Sequence, residues 1–216
     1  MKSRSVKALI FDMDGTLLDS ETVSGYAVNY GYRKILGREI TPEERKQLLG
    51  RPVKKILSQW YPEKGGEIYD TGRRYYESNF SSIAPYRGIT DVLAKLRKQC
   101  RLAVVTSSHR SDAEKLLSMT GLKRYFEFYI GQEDSDHQKP DPEPVILATV
   151  KLGIESREAM FIGDQPYDIL AAQAAGVISV AAVWGSGDEG VLKKYNPNFI
   201  LRRPDELVSL FESYVG

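Results

Sequence analysis

The chain has 216 residues, enough for one α/β domain with an insertion or for two small domains. Hydrophobic residues make up 42% of it, and 30 basic residues nearly balance 29 acidic ones, which leaves a net charge of +1. This composition is typical of a globular protein with an apolar core. A balanced charge argues against a nucleic-acid or membrane-surface partner, which would favour a basic excess, so we predict neither.

The single cysteine and the N-terminal segment indicate the cellular compartment of the protein. Cys100 has no second cysteine with which to form a disulfide, which favours a reducing environment, and we expect it to be a buried, inert thiol. The apolar run after the basic residues 1–7 is interrupted by Asp12 and Asp14, unlike a signal peptide. No stretch approaches the roughly 18 apolar residues of a membrane-spanning helix. The sequence therefore predicts a cytoplasmic protein.

Short apolar runs predict the strands of a sheet. Four of them, at residues 8–11, 102–105, 159–162 and 177–181, are nearly continuous rather than alternating. This pattern is typical of strands buried on both faces of a parallel sheet. Two further short strands are predicted at 128–130 and 198–201.

Helical patterns separate the later strands. They cover residues 89–99, 111–119, 144–152 and 167–175, and a last one covers 204–214. Strands that alternate with helices predict an α/β fold with a doubly wound, Rossmann-like parallel sheet.

Residues 20–86 interrupt this alternation. They contain no convincing strand and indicate several helices, one of which begins at Thr41-Pro42 with a capping hydroxyl and a proline in the first turn. We predict an inserted helical cap domain over 20–86 and an α/β core formed by 1–19 and 87–216. The insertion would lie at the carboxyl edge of the sheet, where open α/β sheets bind ligands.

Two acidic pairs directly follow predicted strands. Asp12 and Asp14 follow the first strand, where one carboxylate can act as a nucleophile while the other transfers a proton. An ordinary acidic turn is the alternative. Asp164 and Asp168 follow a later strand, and carboxylates of this kind suit Mg²⁺. Taken alone, Asp168 is better explained as a charge at a helix start.

Hydroxyl groups and a lysine complete a set that could bind a phosphoryl group. Thr106, with Ser107 and Ser108, ends the second long strand, where hydroxyls and backbone amides can hold phosphate oxygens. Lys139 precedes a helix and could neutralise both the phosphate and the attacking carboxylate. Singly, each of these residues would be unremarkable.

Taken in order, these four motifs resemble those of the haloacid dehalogenase superfamily. The matching positions are residues 12–16, Thr106, Lys139, and Asp164 with Asp168, and the resemblance covers essentially the whole chain, including a helical cap. Dehalogenases lack an acid two residues after the nucleophile, whereas Asp14 is typical of the phosphatases and phosphomutases of the superfamily. Gln165 departs from the small hydroxyl residue often found after the metal-binding aspartate.

The resemblance implies a mechanism and a set of site residues. Asp12 would attack phosphorus and form an aspartyl-phosphate, while Asp14 would act as general acid and then general base. Mg²⁺, Thr106 and Lys139 would disperse charge on the phosphoryl oxygens. The implied metal ligands are Asp12, Asp14, Asp164 and Asp168, and the implied substrate-binding residues are Thr106, Ser107, Lys139 and Arg51.

The resemblance leaves the substrate open. We predict a phosphatase for a small phosphorylated metabolite, because residues 184–187 and 203–207 resemble the phosphoglycolate phosphatase branch. The alternatives are a sugar phosphomutase similar to β-phosphoglucomutase, an inorganic pyrophosphatase, and a non-catalytic binding protein on the same fold.

Arg51 in the cap loop is the residue most expected to contact substrate, and a monomer or homodimer is expected. We interpret the aromatic residues of the cap as packing: Tyr26, Tyr30, Trp60, Tyr75 and Tyr76.

Overall fold

A computed structural model describes residues 5–48, 51 and 53–214. Contacts between residues divide the chain into two units. The larger has the bounds Met1–Asp19 and Pro85–Gly216, and the smaller is Ser20–Ala84. No helix in the described ranges is both long enough and apolar enough to cross a membrane.

The larger unit contains a six-stranded parallel sheet with the order β3-β2-β1-β4-β5-β6. This order is that of a doubly wound, Rossmann-like sheet, so the predicted fold class is confirmed. The strands are β1 (Ala8–Phe11), β2 (Arg101–Val105), β3 (Tyr129–Ile130), β4 (Ala159–Gly163), β5 (Ile178–Ala182) and β6 (Phe199–Leu201).

The smaller unit is helical in all its described regular elements, apart from a short 3₁₀ turn at Phe80–Ser82. The helices are α1 (Glu21–Leu36), α2 (Pro42–Leu48), α3 (Val53–Trp60) and α4 (Gly65–Ser78). The predicted helix start is confirmed, because the Glu44 amide donates to Thr41 Oγ1 and the Thr41 amide donates to a Glu44 carboxylate oxygen. The unit has an apolar core of its own, formed by Tyr32, Leu48, Ile56, Leu57 and Ile68.

One aromatic residue of this unit does not pack as predicted. Tyr26 is 62% exposed, so the interpretation as a packing residue is wrong for it. Tyr30 is 37% exposed and packs on Tyr75 with a ring separation of 4.9 Å. Trp60 does pack against the apolar core, as predicted. The residue types on α1 did not indicate which of its tyrosines would be exposed.

The described part of the larger unit also contains the helices α5 (Ile89–Leu96), α6 (Arg110–Met119), α7 (Glu143–Leu152), α8 (Pro166–Ala174), α9 (Glu189–Leu192) and α10 (Glu206–Glu212). Short 3₁₀ turns lie at Lys123–Tyr125, Gln132–Asp134, Ser156–Glu158 and Lys193–Tyr195. Apolar side chains of the central strands and of α7 and α8 share one buried cluster. Cys100 is buried as predicted, and burial raises the pKa of its thiol to about 12.

The strand register brings three loops together at one edge of the sheet. Phe11 lies opposite Val104 in β2 and Ile162 in β4, so these strands end nearly level. The Asp12 amide continues the ladder by donating to the Ile162 carbonyl at 2.8 Å. The residues that follow β1, β2 and β4 therefore meet at the carboxyl edge, which is where the candidate site lies.

Candidate active site

A buried lysine joins two of the predicted carboxylates. Lys139 Nζ lies 2.6 Å from Asp12 Oδ1 and 2.6 Å from Asp168 Oδ1, and it also donates to the Val105 carbonyl at 3.4 Å. Lys139 is 8% exposed, and the two carboxylate residues are buried as well. Isolated buried charges are costly, so this pairing is what allows an ammonium group to lie here.

Three aspartates form a compact cluster of buried oxygens. Asp12, Asp164 and Asp168 each have an oxygen within 4.8 Å of the others. Asp164 is oriented from both sides, because Thr16 Oγ1 donates to its Oδ1 at 2.9 Å and Gln165 Nε2 donates to its Oδ2 at 2.6 Å. The Gln165 amide thus contacts the aspartate next to it, at the position where the superfamily often has a hydroxyl.

The charges in this cluster do not balance. Burial raises the pKa of Asp12 well above its ordinary value; Lys139 opposes the shift, while the neighbouring carboxylates of Asp168, Asp164 and Asp14 add to it. Burial alone would lower the pKa of Lys139, but Asp12 and Asp168 outweigh burial and raise it. One ammonium group therefore faces several carboxylates, an arrangement that favours a further bound cation.

Asp14 is held by the hydroxyl groups that follow β2. Ser108 Oγ donates to Asp14 Oδ2 at 2.7 Å, and Thr106 Oγ1 donates to the same oxygen at 3.2 Å. The Ser108 amide in turn donates to Thr106 Oγ1 at 3.0 Å. The loop after β2 therefore positions the carboxylate of Asp14, a contact that the sequence did not indicate.

Two glycines let these groups approach one another. A Cβ atom on Gly163 would overlap the side chain of Asp168, and one on Gly15 would overlap the carboxylate of Asp164. Gly15 also has a positive φ of 83°, which disfavours any residue with a side chain. Both positions therefore require glycine for the carboxylates to lie where they do.

The loop after β5 supports the turn that carries the first motif. Trp184 Nε1 donates to the Thr16 carbonyl at 2.9 Å, and the Ser186 amide donates to the Gly15 carbonyl at 3.4 Å. Tyr86 and Ser186 have hydroxyl oxygens 3.4 Å apart. In the sequence, residues 184–187 were singled out only because they resemble a branch of the superfamily. The sequence feature that could have indicated these contacts is a tryptophan followed by small residues.

The remaining predicted residues lie outside these contacts. Ser107 is in the loop between β2 and α6. His109 precedes α6 and contacts Glu133. Arg51 belongs to the smaller unit, is exposed, and donates to the Gln47 carbonyl at 3.3 Å. The residues on either side of Arg51 in its predicted loop, Gly50 and Pro52, lie outside the described residues.

The chemistry of the donor set fits a divalent cation. Carboxylate oxygens are the ligands that Mg²⁺ prefers, and the cluster is buried and carries surplus negative charge. A second group of possible ligands, His137, Asp141 and Glu143, lies at the surface, where Glu143 caps two backbone amides. The buried cluster is therefore the better candidate for a metal.

Comparison with known proteins identifies the relatives of this chain. The family model described as haloacid dehalogenase-like hydrolase matches residues 9–182. The "Putative pyrophosphatase PpaX" of Caldanaerobacter subterraneus subsp. tengcongensis is 34% identical over 96% of this chain and 95% of its own length. The phosphoglycolate phosphatase of Aquifex aeolicus is 30% identical over 97% of this chain and 99% of its own length.

A solved structure gives the same result. The haloacid dehalogenase-like hydrolase SP0104 of Streptococcus pneumoniae superposes with a TM-score of 0.84 at 25% identity, covering 98% of this chain and 100% of that one. The predictions of the superfamily and of an enzyme are thereby confirmed. The chain belongs to the haloacid dehalogenase-like hydrolase family.

Proposed function

We propose that this hydrolase is a magnesium-dependent phosphatase that cleaves a small phosphoester through an aspartyl-phosphate on Asp12. One observation carries the proposal: a buried lysine bridges Asp12 and Asp168 within 2.6 Å of each, beside a cluster of carboxylates that carries surplus negative charge. Phosphatase activity also agrees with the names of the relatives.

Asp12 and Asp164 would hold the metal through their carboxylates. Asp14 lies outside the carboxylate cluster, and its carboxylate already accepts two hydroxyl groups, so it would contribute its backbone carbonyl. One carboxylate oxygen of Asp168 accepts a hydrogen bond from Lys139, and the other accepts one from the backbone amide of Gln165. This arrangement suits a supporting position at the metal. A bound Mg²⁺ would neutralise the carboxylates and the equatorial phosphoryl oxygens.

In the first step, an Asp12 oxygen forms a bond to phosphorus as the bond from phosphorus to the leaving oxygen breaks. Asp14, in its protonated form, gives its proton to that oxygen. In the second step, Asp14 takes a proton from water, the water oxygen bonds to phosphorus, and Asp12 is released as a carboxylate. Two acids with separate duties explain why both positions carry Asp.

The positive charge and the hydroxyl donors would hold the phosphoryl group during both steps. Lys139 would stabilise the charge that develops on the oxygens, as lysines do in other phosphoryl-transfer sites. Thr106 and Ser107 lie at the end of β2, where hydroxyl and amide donors can bind the remaining oxygens.

The smaller unit would act as a cap that selects the substrate. It has an apolar core of its own, and its only described residue between α2 and α3 is Arg51, which we propose contacts the substrate.

The substrate class is a small phosphorylated metabolite, such as phosphoglycolate or a sugar phosphate, and the enzyme would act in the cytoplasm. Inorganic pyrophosphate is the second candidate, favoured by the 34% identical relative named as a pyrophosphatase.

Two further alternatives can be tested in the same assays. A sugar phosphomutase would use the same Asp12 and Asp14 but isomerise glucose 1-phosphate without releasing phosphate. A non-catalytic binding protein would release no phosphate from any compound. The second is disfavoured because each motif residue that the chemistry needs is present.

The experiment is a phosphate-release screen over phosphoglycolate, pyrophosphate, sugar phosphates, nucleotides and para-nitrophenyl phosphate, with Mg²⁺ or with EDTA. Release should require Mg²⁺, and Asp12→Asn should lower it by at least about a thousandfold because the nucleophile is lost. Asp91→Asn, which removes an exposed carboxylate on α5, is the matched control and should keep full activity. Full Mg²⁺-dependent activity in Asp12→Asn would rule out the assignment.

A further inference from the structure

The smaller unit contains a surface cavity, open to solvent, that the proposed catalytic chemistry does not use. It has a volume of about 380 Å³ and lies between α1 and α4. That volume is within the range of small-molecule sites, at its lower end. The lining residues are Tyr30, Lys34, Ile35, Thr71, Arg74, Tyr75 and Ser78.

Close packing of the two helices brings these side chains together. A Cβ atom on Gly31 of α1 would overlap the backbone of Ile68, and one on Gly72 of α4 would overlap the backbone of Ala27. The helices therefore approach each other more closely than residues with side chains would allow. On α4 the polar lining residues recur three or four positions apart, so they share one face of that helix.

Among the described residues, the lining of the cavity carries positive charge and no carboxylate. Its two charged lining residues are Lys34 and Arg74, and within the described part of the chain neither forms an ion pair. The arginines next to them in sequence differ, because Arg33 pairs with Glu39 and Arg73 pairs with Glu77. Arg74 instead donates to the Thr71 hydroxyl at 3.1 Å. Two cations close to hydroxyl groups favour an anion such as phosphate.

Aromatic rings form another part of the wall. Tyr30 and Tyr75 stack at 4.9 Å with an angle of 28° between their planes, and Lys34 Nζ lies 5.5 Å from the centre of the Tyr30 ring. Nucleobases stack on accessible faces of aromatic side chains with little regard to base identity. A ligand that uses the whole wall therefore has a planar ring as well as a negative charge.

We propose that this cavity binds a nucleoside phosphate, with the phosphates at Lys34 and Arg74 and the base against the tyrosine pair. A single nucleotide is favoured over a nucleic-acid strand because the chain has a net charge of only +1. The inference stands apart from the proposed phosphatase activity, since it needs neither the carboxylate cluster nor a metal.

The test is calorimetric titration of the full-length protein with ADP in the presence of EDTA, so that no turnover occurs. Saturable binding is expected at or below about millimolar ADP. Arg74→Ala and Tyr75→Ala should each weaken it by about tenfold or more, because one removes a charged donor and the other a stacking ring. Lys46→Ala, which removes an exposed lysine on α2, is the matched control and should bind ADP as the unmodified protein does.

Further titrations distinguish ADP binding in this cavity from binding at the carboxylate cluster, and test the base and the phosphates separately. Asp12→Asn should bind ADP unchanged; a changed affinity would assign the nucleotide to the carboxylate cluster and overturn the proposal. Pyrophosphate and adenosine should each bind more weakly than ADP, and equal binding of pyrophosphate would remove the role of the tyrosines. Absence of saturable binding, or binding that survives both cavity variants while circular dichroism reports folded protein, would also overturn it.

Discussion

A single ammonium group organises the chemistry at the residue scale. Lys139 neutralises part of the charge on Asp12 and Asp168, and both contacts are buried. A lysine without these partners would be expensive to bury, and the aspartates without the lysine would repel one another. The three side chains therefore depend on one another for their places. In the proposed mechanism, the same lysine then stabilises the phosphoryl oxygens.

Ser108→Ala should slow catalysis without weakening substrate binding. Ser108 Oγ donates to Asp14 Oδ2 at 2.7 Å, and a hydrogen bond to a charged group contributes roughly 1.5–3 kcal/mol. Loss of this orientation should lower kcat roughly 10- to 100-fold and leave KM within about threefold. Steady-state kinetics on the best substrate of the screen measures both constants.

Ser108→Thr keeps the hydroxyl and is the control. It should recover most of the lost kcat, because the donor to Asp14 is restored. A variant Ser108→Ala with unchanged kcat, or with its whole defect in KM, would show that the contact does not position Asp14 for proton transfer.

Gln165→Ala should weaken metal binding. Gln165 Nε2 donates to Asp164 Oδ2 at 2.6 Å, and partners that orient a ligating carboxylate commonly contribute about tenfold to metal affinity. Binding of Mn²⁺, followed by electron paramagnetic resonance, should show about a tenfold higher Kd. Gln165→Ser keeps a donor and should lose less. Equal Mn²⁺ affinity in all three proteins would mean that Gln165 does not orient Asp164.

At the scale of elements, the active-site loops are held by neighbouring strands and turns. The carboxyl ends of β1, β2 and β4 lie nearly level, which fixes where the three loops begin. Trp184, after β5, then fixes the turn after β1 by donating to the Thr16 carbonyl. Rigid elements thus position side chains that lie on loops.

In the smaller unit, an ion pair joins the start of α2 to the end of α1. Arg38 donates to both carboxylate oxygens of Glu44, at 2.9 and 2.6 Å, and the Tyr61 hydroxyl donates to the same carboxylate at 2.8 Å. The hydrogen bonds from Arg38 are the largest cause that lowers the pKa of Glu44, from 4.5 to about 2. Because the native state favours the charged form, stability from this group is present above pH 4.5 and is lost as the pH falls towards 2.

Glu44→Gln should therefore destabilise the protein near neutral pH and less so in acid. Arg38 is partly exposed to solvent, which screens the pair, so we expect a loss of about 1 kcal/mol at pH 7. Thermal unfolding between pH 7 and pH 3 should show the difference from the unmodified protein shrinking below about pH 4.5. Glu43→Gln, at the preceding position, is the control. A difference that stays constant over this range would contradict the assignment.

At the scale of the whole molecule, the sheet could be predicted because its strands are apolar on both faces. The four long runs correspond to β1, β2, β4 and β5, with bounds that differ by at most one residue at either end. Helix ends were harder: α5 ends at Leu96 rather than at residue 99, because the Lys98 and Gln99 amides bond to carbonyls three residues back instead of four. Local turns of this kind leave little trace in hydrophobic periodicity.

The site could be predicted only as a set of residue types in order. The motif positions that follow β1, β2 and β4 do meet at the sheet edge, because parallel strands end there. The contacts of Ser108 with Asp14 and of Trp184 with Thr16 could not be predicted, since they join segments about 94 and 168 residues apart. The exposure of Tyr26 was also missed, because periodicity does not say which tyrosines of α1 are covered.

The central claim, that Asp12 is the nucleophile, is tested most directly by trapping its acyl phosphate. Enzyme mixed with substrate and Mg²⁺, quenched in acid and reduced with borohydride should carry a modified residue at position 12, because borohydride reduces an acyl phosphate to an alcohol. Peptide mass spectrometry locates the change. We expect it at Asp12, dependent on both substrate and Mg²⁺; rapid turnover with no modification at Asp12, or with modification at another residue, would contradict the account.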